Sequence, residues 1–132
     1  MNYRVTHQKK IIYDYIVKSR LHPSINQIHN DLLLNGENIG IATCYRNLKK
    51  LVEEGKVIQI LTNDNIAHYD YVRDNHFHTV CKCCNLIKDV NADSIIINND
   101  DSILSKFKID IKNLVIYGIC EECQEKEKKK WN

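Results

Sequence analysis

The 132-residue sequence has no long apolar run. Nothing in it approaches the roughly 18 consecutive apolar residues of a membrane helix, and the opening MNYRVTHQKK lacks the apolar centre of a secretory signal. Both absences predict a cytoplasmic protein. Proline occurs once. No segment repeats, and none is of low complexity outside the tail EKEKKKWN, which reads as a solvated helix end. Neither sign of charge dominates, since the net charge is +2. What imbalance there is lies between the halves: nine Lys/Arg against five Asp/Glu in residues 1–60, and ten against twelve in 61–132. A basic first half suits a polyanionic partner.

Hydrophobic residues make up 43% of the chain. That is enough for a modest core, but a unit of about 60 residues buries too little surface to be robust alone. Help from a metal or a partner subunit is therefore expected. The chain does have cysteine, six in all. Without a secretory signal, six cysteines point to metal or redox chemistry before disulfides.

The first half reads as helices with sharp punctuation. Thr6 caps a first helix that buries Ile11, Ile12, Tyr15 and Ile16. The single proline precedes Ser24, which forms an S-x-x-Q capping box with Gln27, and Ile25, Ile28 and Leu32 then share one helical face. A third helix, IATCYRNLKKLVEEG, places Ile41, Tyr45, Leu48 and Val52 inward and stops at Gly55. KVIQIL and IAHYDYV follow as two strands. Three helices and a hairpin are the order of a winged helix-turn-helix. The second half mixes short strands (HFHTVC, LIKDV, NLVIYGIC) with a helix around residues 93–105. The fold class expected is α+β, with a winged-helix DNA-binding domain over 1–70, a hinge over 71–75 and an α/β dimerisation domain over 76–132.

On the third helix the face opposite the apolar stripe carries Thr43, Arg46, Asn47 and Lys50. These groups reach phosphates and base edges when a helix enters the major groove. An isolated helix with such a face is usually just solvated. Here the element order, the wing and the basic surplus together favour DNA.

The densest chemistry is HFHTVCKCC, His76 to Cys84. Cys81-x-x-Cys84 and Cys120-x-x-Cys123 are paired knuckles, the spacing of a four-cysteine structural zinc site. A thioredoxin-like redox pair lacks its β-α-β context here and leaves the second knuckle unexplained. Cys83 lies in the turn of its knuckle, and Cys44 reads as a small core residue. His76 and His78 project from one face of a strand, whereas Cys81 leaves from the other. One segment thus feeds two sites. A second metal needs further ligands: Asp70 ends the wing, Asp89 lies on the next strand and His22 enters the second helix. Spacing alone does not single out His22. Imidazoles and carboxylates together suit ferrous iron or manganese better than structural zinc. His7, His29 and His68 read as ordinary surface or core histidines.

Across almost its whole length the chain resembles the ferric uptake regulator (Fur) family, and within it the peroxide-responsive PerR branch. RVTHQKKII, HPSINQIH, IATCYRNLKKL, HYDYV, HFHTVCKCC and IYGICEEC carry the resemblance. It implies a regulatory site of three histidines and two aspartates, matched here by His22, Asp70, His76, His78 and Asp89. Fur proper tends to carry glutamates at these aspartates, and a His-His-Asp-His run where this chain has Asn75-His76-Phe77-His78. Tyr45-Arg46 resembles the Fur recognition helix, which adds Tyr45 to the DNA-contacting set. The amino terminus is shorter than usual, and Cys44 and Cys83 depart from the family pattern.

The resemblance implies a dimeric repressor on palindromic DNA, not an enzyme. Zinc staples the second domain, and iron(II) or manganese(II) ties His22 to the hinge ligands. With iron, peroxide converts His22 or His76 to 2-oxo-histidine and DNA is released. The rivals are an iron-, manganese- or zinc-supply regulator without peroxide chemistry, a thiol redox protein, and a zinc-stapled interaction module.

Overall fold

Ile12 and Ile16 sit one helical turn apart and are fully buried, and around them the first of two units is built. The computed structural model describes residues 3–19, 21–73, 75–97, 100 and 102–131. Its two compact units are Met1–Val72 and Arg73–Asn132. In the first, helices α1 (Tyr3–Ser19), α2 (Ile25–Leu34) and α3 (Ile41–Glu53) precede strands β1 (Val57–Leu61) and β2 (Ala67–Tyr71). The strands pair antiparallel, Val57 opposite Tyr71 and Leu61 opposite Ala67, as the wing requires. Helix α2 begins with the capping box: the Gln27 N–H donates to Ser24 Oγ (3.3 Å) and the Ser24 N–H to Gln27 Oε1 (2.8 Å). Helix α3 ends at Gly55, whose φ of 73° is left-handed, with the Lys56 N–H closing onto the Leu51 carbonyl (3.0 Å). Glycine tolerates that φ without steric cost. Ile25, Ile28, Leu32, Ile39, Cys44, Leu48, Leu51, Val57 and Tyr69 complete this core cluster.

Two expectations for this unit need correcting. Helix α1 starts at Tyr3, so Thr6 lies inside it and is not its N-cap. On α3 the buried stripe is Cys44, Asn47, Leu48 and Leu51, while Ile41 and Tyr45 are 41% and 54% exposed. The stripe is rotated from the expected one because Cys44, Leu48 and Leu51 satisfy the same helical spacing as Ile41, Tyr45 and Leu48. Asn47 is therefore withdrawn from the outward set. Its Nδ2 donates to the Thr43 carbonyl (2.9 Å).

The second unit holds strands β3 (His76–Cys81), β4 (Ile87–Asn91) and β5 (Val115–Gly118), then helix α4 (Glu121–Trp131). Strand β3 is central, antiparallel to β4 and parallel to β5. Where a helix is expected around 93–105, the described residues form only 3-10 turns, at Ala92–Ser94 and Leu104–Lys106. Three consecutive isoleucines and a surplus of Ser, Asn and Asp explain this. β-Branched residues lose rotamer freedom in a helix, and short polar ones compete with its hydrogen bonds. No helix among the described residues is long and apolar enough to cross a membrane.

Candidate metal centres

The parallel pairing of β3 with β5 brings the two cysteine knuckles together. Cys81 ends β3 opposite Gly118, and the Lys82 N–H donates to the Gly118 carbonyl (2.7 Å). Cys120 then falls just before α4, and Cys123 in its first turn. Within the first knuckle the chain reverses tightly, with Asn85 at φ 62° and its N–H on the Cys81 carbonyl (2.9 Å).

The four sulfurs of Cys81, Cys84, Cys120 and Cys123 all lie within 4.8 Å of one another. Cys81–Cys123 and Cys84–Cys120 are each 3.8 Å apart, and all four cysteines are free thiols. A tetrahedron with Zn–S bonds of about 2.3 Å has edges of about 3.8 Å. The donor set therefore fits zinc in both chemistry and spacing. Backbone N–H groups of Cys120 (3.4 Å), Cys84 (3.5 Å) and Cys83 (3.4 Å) point at Cys81 Sγ. Led by the Cys120 donor, they pull the Cys81 thiol down to about 5. Hydrogen bonding with Cys120, followed by burial, pushes the Cys123 thiol up instead. So many thiolates cannot share this space without a cation. Cys83, exposed in the turn, has its thiol pushed up by burial and then by the Cys81 charge.

The first unit offers a second constellation. His22 Nε2 lies 3.6 Å from Asp70 Oδ2. Three contacts hold the short segment before α2 against β2. His68 Nδ1–H donates to the His22 carbonyl (2.8 Å), the Tyr69 N–H donates to the Pro23 carbonyl (2.9 Å), and Ser24 bridges to His68. His22 itself has φ 51°. For a residue with a Cβ, that conformation costs about 1–2 kcal/mol. Such strain persists only where the surroundings hold it, and it tends to gather at functional sites. Sequence reasoning missed His68. The signal was its position two residues before Asp70 on one strand.

The second unit carries a cluster of its own. His76 and His78 share a face of β3, with their Nε2 atoms 3.2 Å apart. Asp89 stands opposite His78 on β4, its Oδ1 3.0 Å from His78 Nε2 and 3.7 Å from His76 Nε2. Arg73 Nη2 donates to the other oxygen, Oδ2, at 2.6 Å and so turns Oδ1 toward the imidazoles. Arg73 too was missed, because nothing in its spacing ties it to Asp89. Two ring nitrogens and a carboxylate oxygen meeting this closely need a proton or a cation between them. Imidazole and carboxylate donors suit iron(II) or manganese(II).

On α3, Tyr45, Arg46 and Lys50 are exposed and Thr43 half-buried. Arg46 Nη2 donates to Thr43 Oγ1 at 3.0 Å.

Residues 1–117 match the Ferric uptake regulator family. Among curated proteins, the chain is 32% identical over 125 residues to the peroxide operon regulator of Bacillus subtilis, covering 94% of this chain and 86% of that one. It is 31% identical over 126 residues to the peroxide-responsive repressor PerR of Staphylococcus aureus, covering 93% and 84%. Among solved structures, the Helicobacter pylori ferric uptake regulator Fur superposes with a TM-score of 0.72 at 20% identity, over 94% of this chain and 82% of that one. The Campylobacter jejuni peroxide stress regulator does so at 0.67 and 24%, over 91% of each chain.

Proposed function

The chain belongs to the ferric uptake regulator family, a family of metal-dependent transcriptional regulators and not of enzymes, and within it we propose that this member is a repressor that senses peroxide. The observation that carries the reading is the donor set. His76, His78 and Asp89 converge in one unit, and His22 is held beside Asp70 in the other, with aspartate and not glutamate at both carboxylate positions. Likeness to a peroxide operon regulator and a peroxide-responsive repressor at 31–32% identity supports it.

In this reading Cys81, Cys84, Cys120 and Cys123 hold zinc and stabilise the second unit. His22 and Asp70 close with His76, His78 and Asp89 on one iron(II) or manganese(II) ion, across a hinge at residues 71–75. Binding that is strong only in the closed arrangement shifts the population toward it; moving a 1:99 balance to 99:1 takes about a 10⁴-fold preference. Two copies related by a two-fold axis match a palindromic operator. Exposed Ile96, Ile103 and Phe107 favour a second copy as cover for the second unit. Thr43, Tyr45, Arg46 and Lys50 face the DNA, in the cytoplasm.

Iron(II) in the site would supply the reduction of hydrogen peroxide. His22 or His76, as a ligand beside it, would take one peroxide oxygen on a ring carbon while the other leaves as water. That ring would lose its lone pair as a ligand, and the closed state its advantage. The test is peptide mass spectrometry after loading with iron(II) and adding peroxide, against a manganese-loaded control. A one-oxygen gain on the His22 or His76 peptide, seen only with iron, is expected. No gain, with zinc and DNA binding intact, would make the chain a metal-supply regulator instead.

A further inference from the structure

A left-handed backbone at a residue with a Cβ has to be held by its surroundings. His22 is such a residue, at φ 51°, and its carbonyl accepts a hydrogen bond from His68 Nδ1–H at 2.8 Å. A carbonyl has only lone pairs to offer, so His68 Nδ1 carries the proton of this bond. His68 stands opposite Ile60 on β2, and Asp70 lies two residues further along the same strand. Side chains two apart on a strand leave from one face. One face of β2 thus turns a carboxylate toward the His22 ring, with Asp70 Oδ2 3.6 Å from His22 Nε2, and a donor toward the His22 backbone. The neighbouring contacts are of another kind. The Tyr69 N–H on the Pro23 carbonyl (2.9 Å) and the bridge between Ser24 and His68 run through the main chain, so they hold residues 23 and 24 whatever side chain stands at 68. What the His68 ring adds is a grip on the His22 carbonyl itself, and with it on the backbone rotation that decides where the imidazole points.

Resting on the reading of His22 and Asp70 as ligands of the regulatory metal, we infer that His68 is a positioning residue that sets the affinity of that site by holding His22 ready to bind. It acts through His22 and not as a ligand, since its Nδ1–H is committed to the carbonyl. A ring already directed at its carboxylate partner gives up little freedom when an ion arrives. Without the Nδ1 donor, His22 relaxes toward an ordinary backbone conformation, and metal binding must first restore the strained one. The loss falls on metal affinity and spares the fold. His68 is only half-buried and lies outside the apolar cluster of the first unit, and the four cysteines belong to the second unit. Groups that orient a metal ligand typically change affinity by about 10- to 100-fold. Because closure depends on the same ion in this reading, His68 also sets the metal concentration at which the chain takes hold of DNA.

The experiment titrates the full zinc-loaded chain with manganese(II), follows the free ion by electron paramagnetic resonance, and measures zinc content alongside. His68→Leu removes the donor at similar bulk. His68→Asn keeps it, because the Asn amide nitrogen is attached to Cγ just as Nδ1 is in the imidazole. His68→Leu is expected to raise the half-saturating manganese concentration about 10- to 100-fold at unchanged zinc content, and His68→Asn to recover most of that loss. A double-mutant cycle with His22→Ala separates positioning from general damage. In the His22→Ala chain the ring to be positioned is gone, so adding His68→Leu is expected to change nothing further. The inference is overturned by an equal loss in both backgrounds, by a loss that His68→Asn does not reverse or that zinc shares, or by no loss from His68→Leu at all. Those results leave the regulatory site standing as long as His22→Ala alone weakens manganese binding. Unchanged manganese binding in His22→Ala overturns the site reading, and this inference with it.

Discussion

Asn47 shows how one side chain can belong to a different face from the one its chemistry suggests. An amide on a candidate recognition helix reads as a base-edge donor, yet Asn47 is 2% exposed. Its Nδ2 caps the Thr43 carbonyl, while its Oδ1 has no partner among the described residues. A buried group without a partner is costly, and the same position carrying a charge is costlier still. Asn47→Asp is therefore expected to lower stability by at least about 2 kcal/mol, read as a shift of the urea midpoint. A shift within about 0.5 kcal/mol would place the residue on the surface after all. Arg46 is the opposite case, exposed and bonded to the neighbouring Thr43 hydroxyl. Arg46→Ala should leave the midpoint unchanged and weaken operator binding by about 1–3 kcal/mol, roughly 5- to 150-fold. Unchanged affinity, measured at one fixed salt concentration, would remove α3 as the reader.

Elements whose ends are written in local chemistry were legible in the sequence. The α2 capping box, the Gly55 stop and the paired strands of the wing all rest on contacts between residues a few positions apart. Both cysteine knuckles were legible for the same reason, because the C-x-x-C spacing sets its own local geometry. What escaped was decided by tertiary packing. The phase of α3 depended on which of two equally spaced stripes met the core, and a polar Asn47 disguised the right one. The expected helix over 93–105 met a run of β-branched and short polar residues. The roles of His68 and Arg73 appear only when strands align. The α2 cap also bears on the metal centre, since Ser24 both starts the helix and bridges to His68 behind His22. Ser24→Ala should cost about 1 kcal/mol of unfolding free energy, within a usual range of about 0.5–2. Retention of full stability in a urea titration would mean that the cap contributes nothing here.

At the scale of the whole chain, the two units differ in what holds them together. The first has a continuous apolar cluster running from Ile12 and Ile16 through Leu48 and Leu51 to Tyr69. In the second, the buried hydrophobic residues among those described are Phe77, Val80, Cys81 and Cys123. Two of these four are thiols of the cluster, so little apolar burial remains to offset the chain entropy of about 60 residues. Ile96 at 95% exposure and Phe107 at 66% show how much apolar surface this unit leaves uncovered. In the proposed reading its stability comes from zinc on the four thiols and from a second copy, because the binding energy of a structural zinc site is folding energy. Removing zinc with a chelator under reducing conditions is therefore expected to unfold the chain unequally. Hydrogen exchange followed by mass spectrometry should show peptides from β3, β4 and β5 losing protection, while those from α2 and α3 keep theirs. Cys120→Ser should reproduce the pattern without a chelator. If α2 and α3 lose protection together with the sheet, the chain unfolds as one cooperative body and the division of stability argued here fails. If the sheet stays protected with zinc gone, the four thiols are not what holds it.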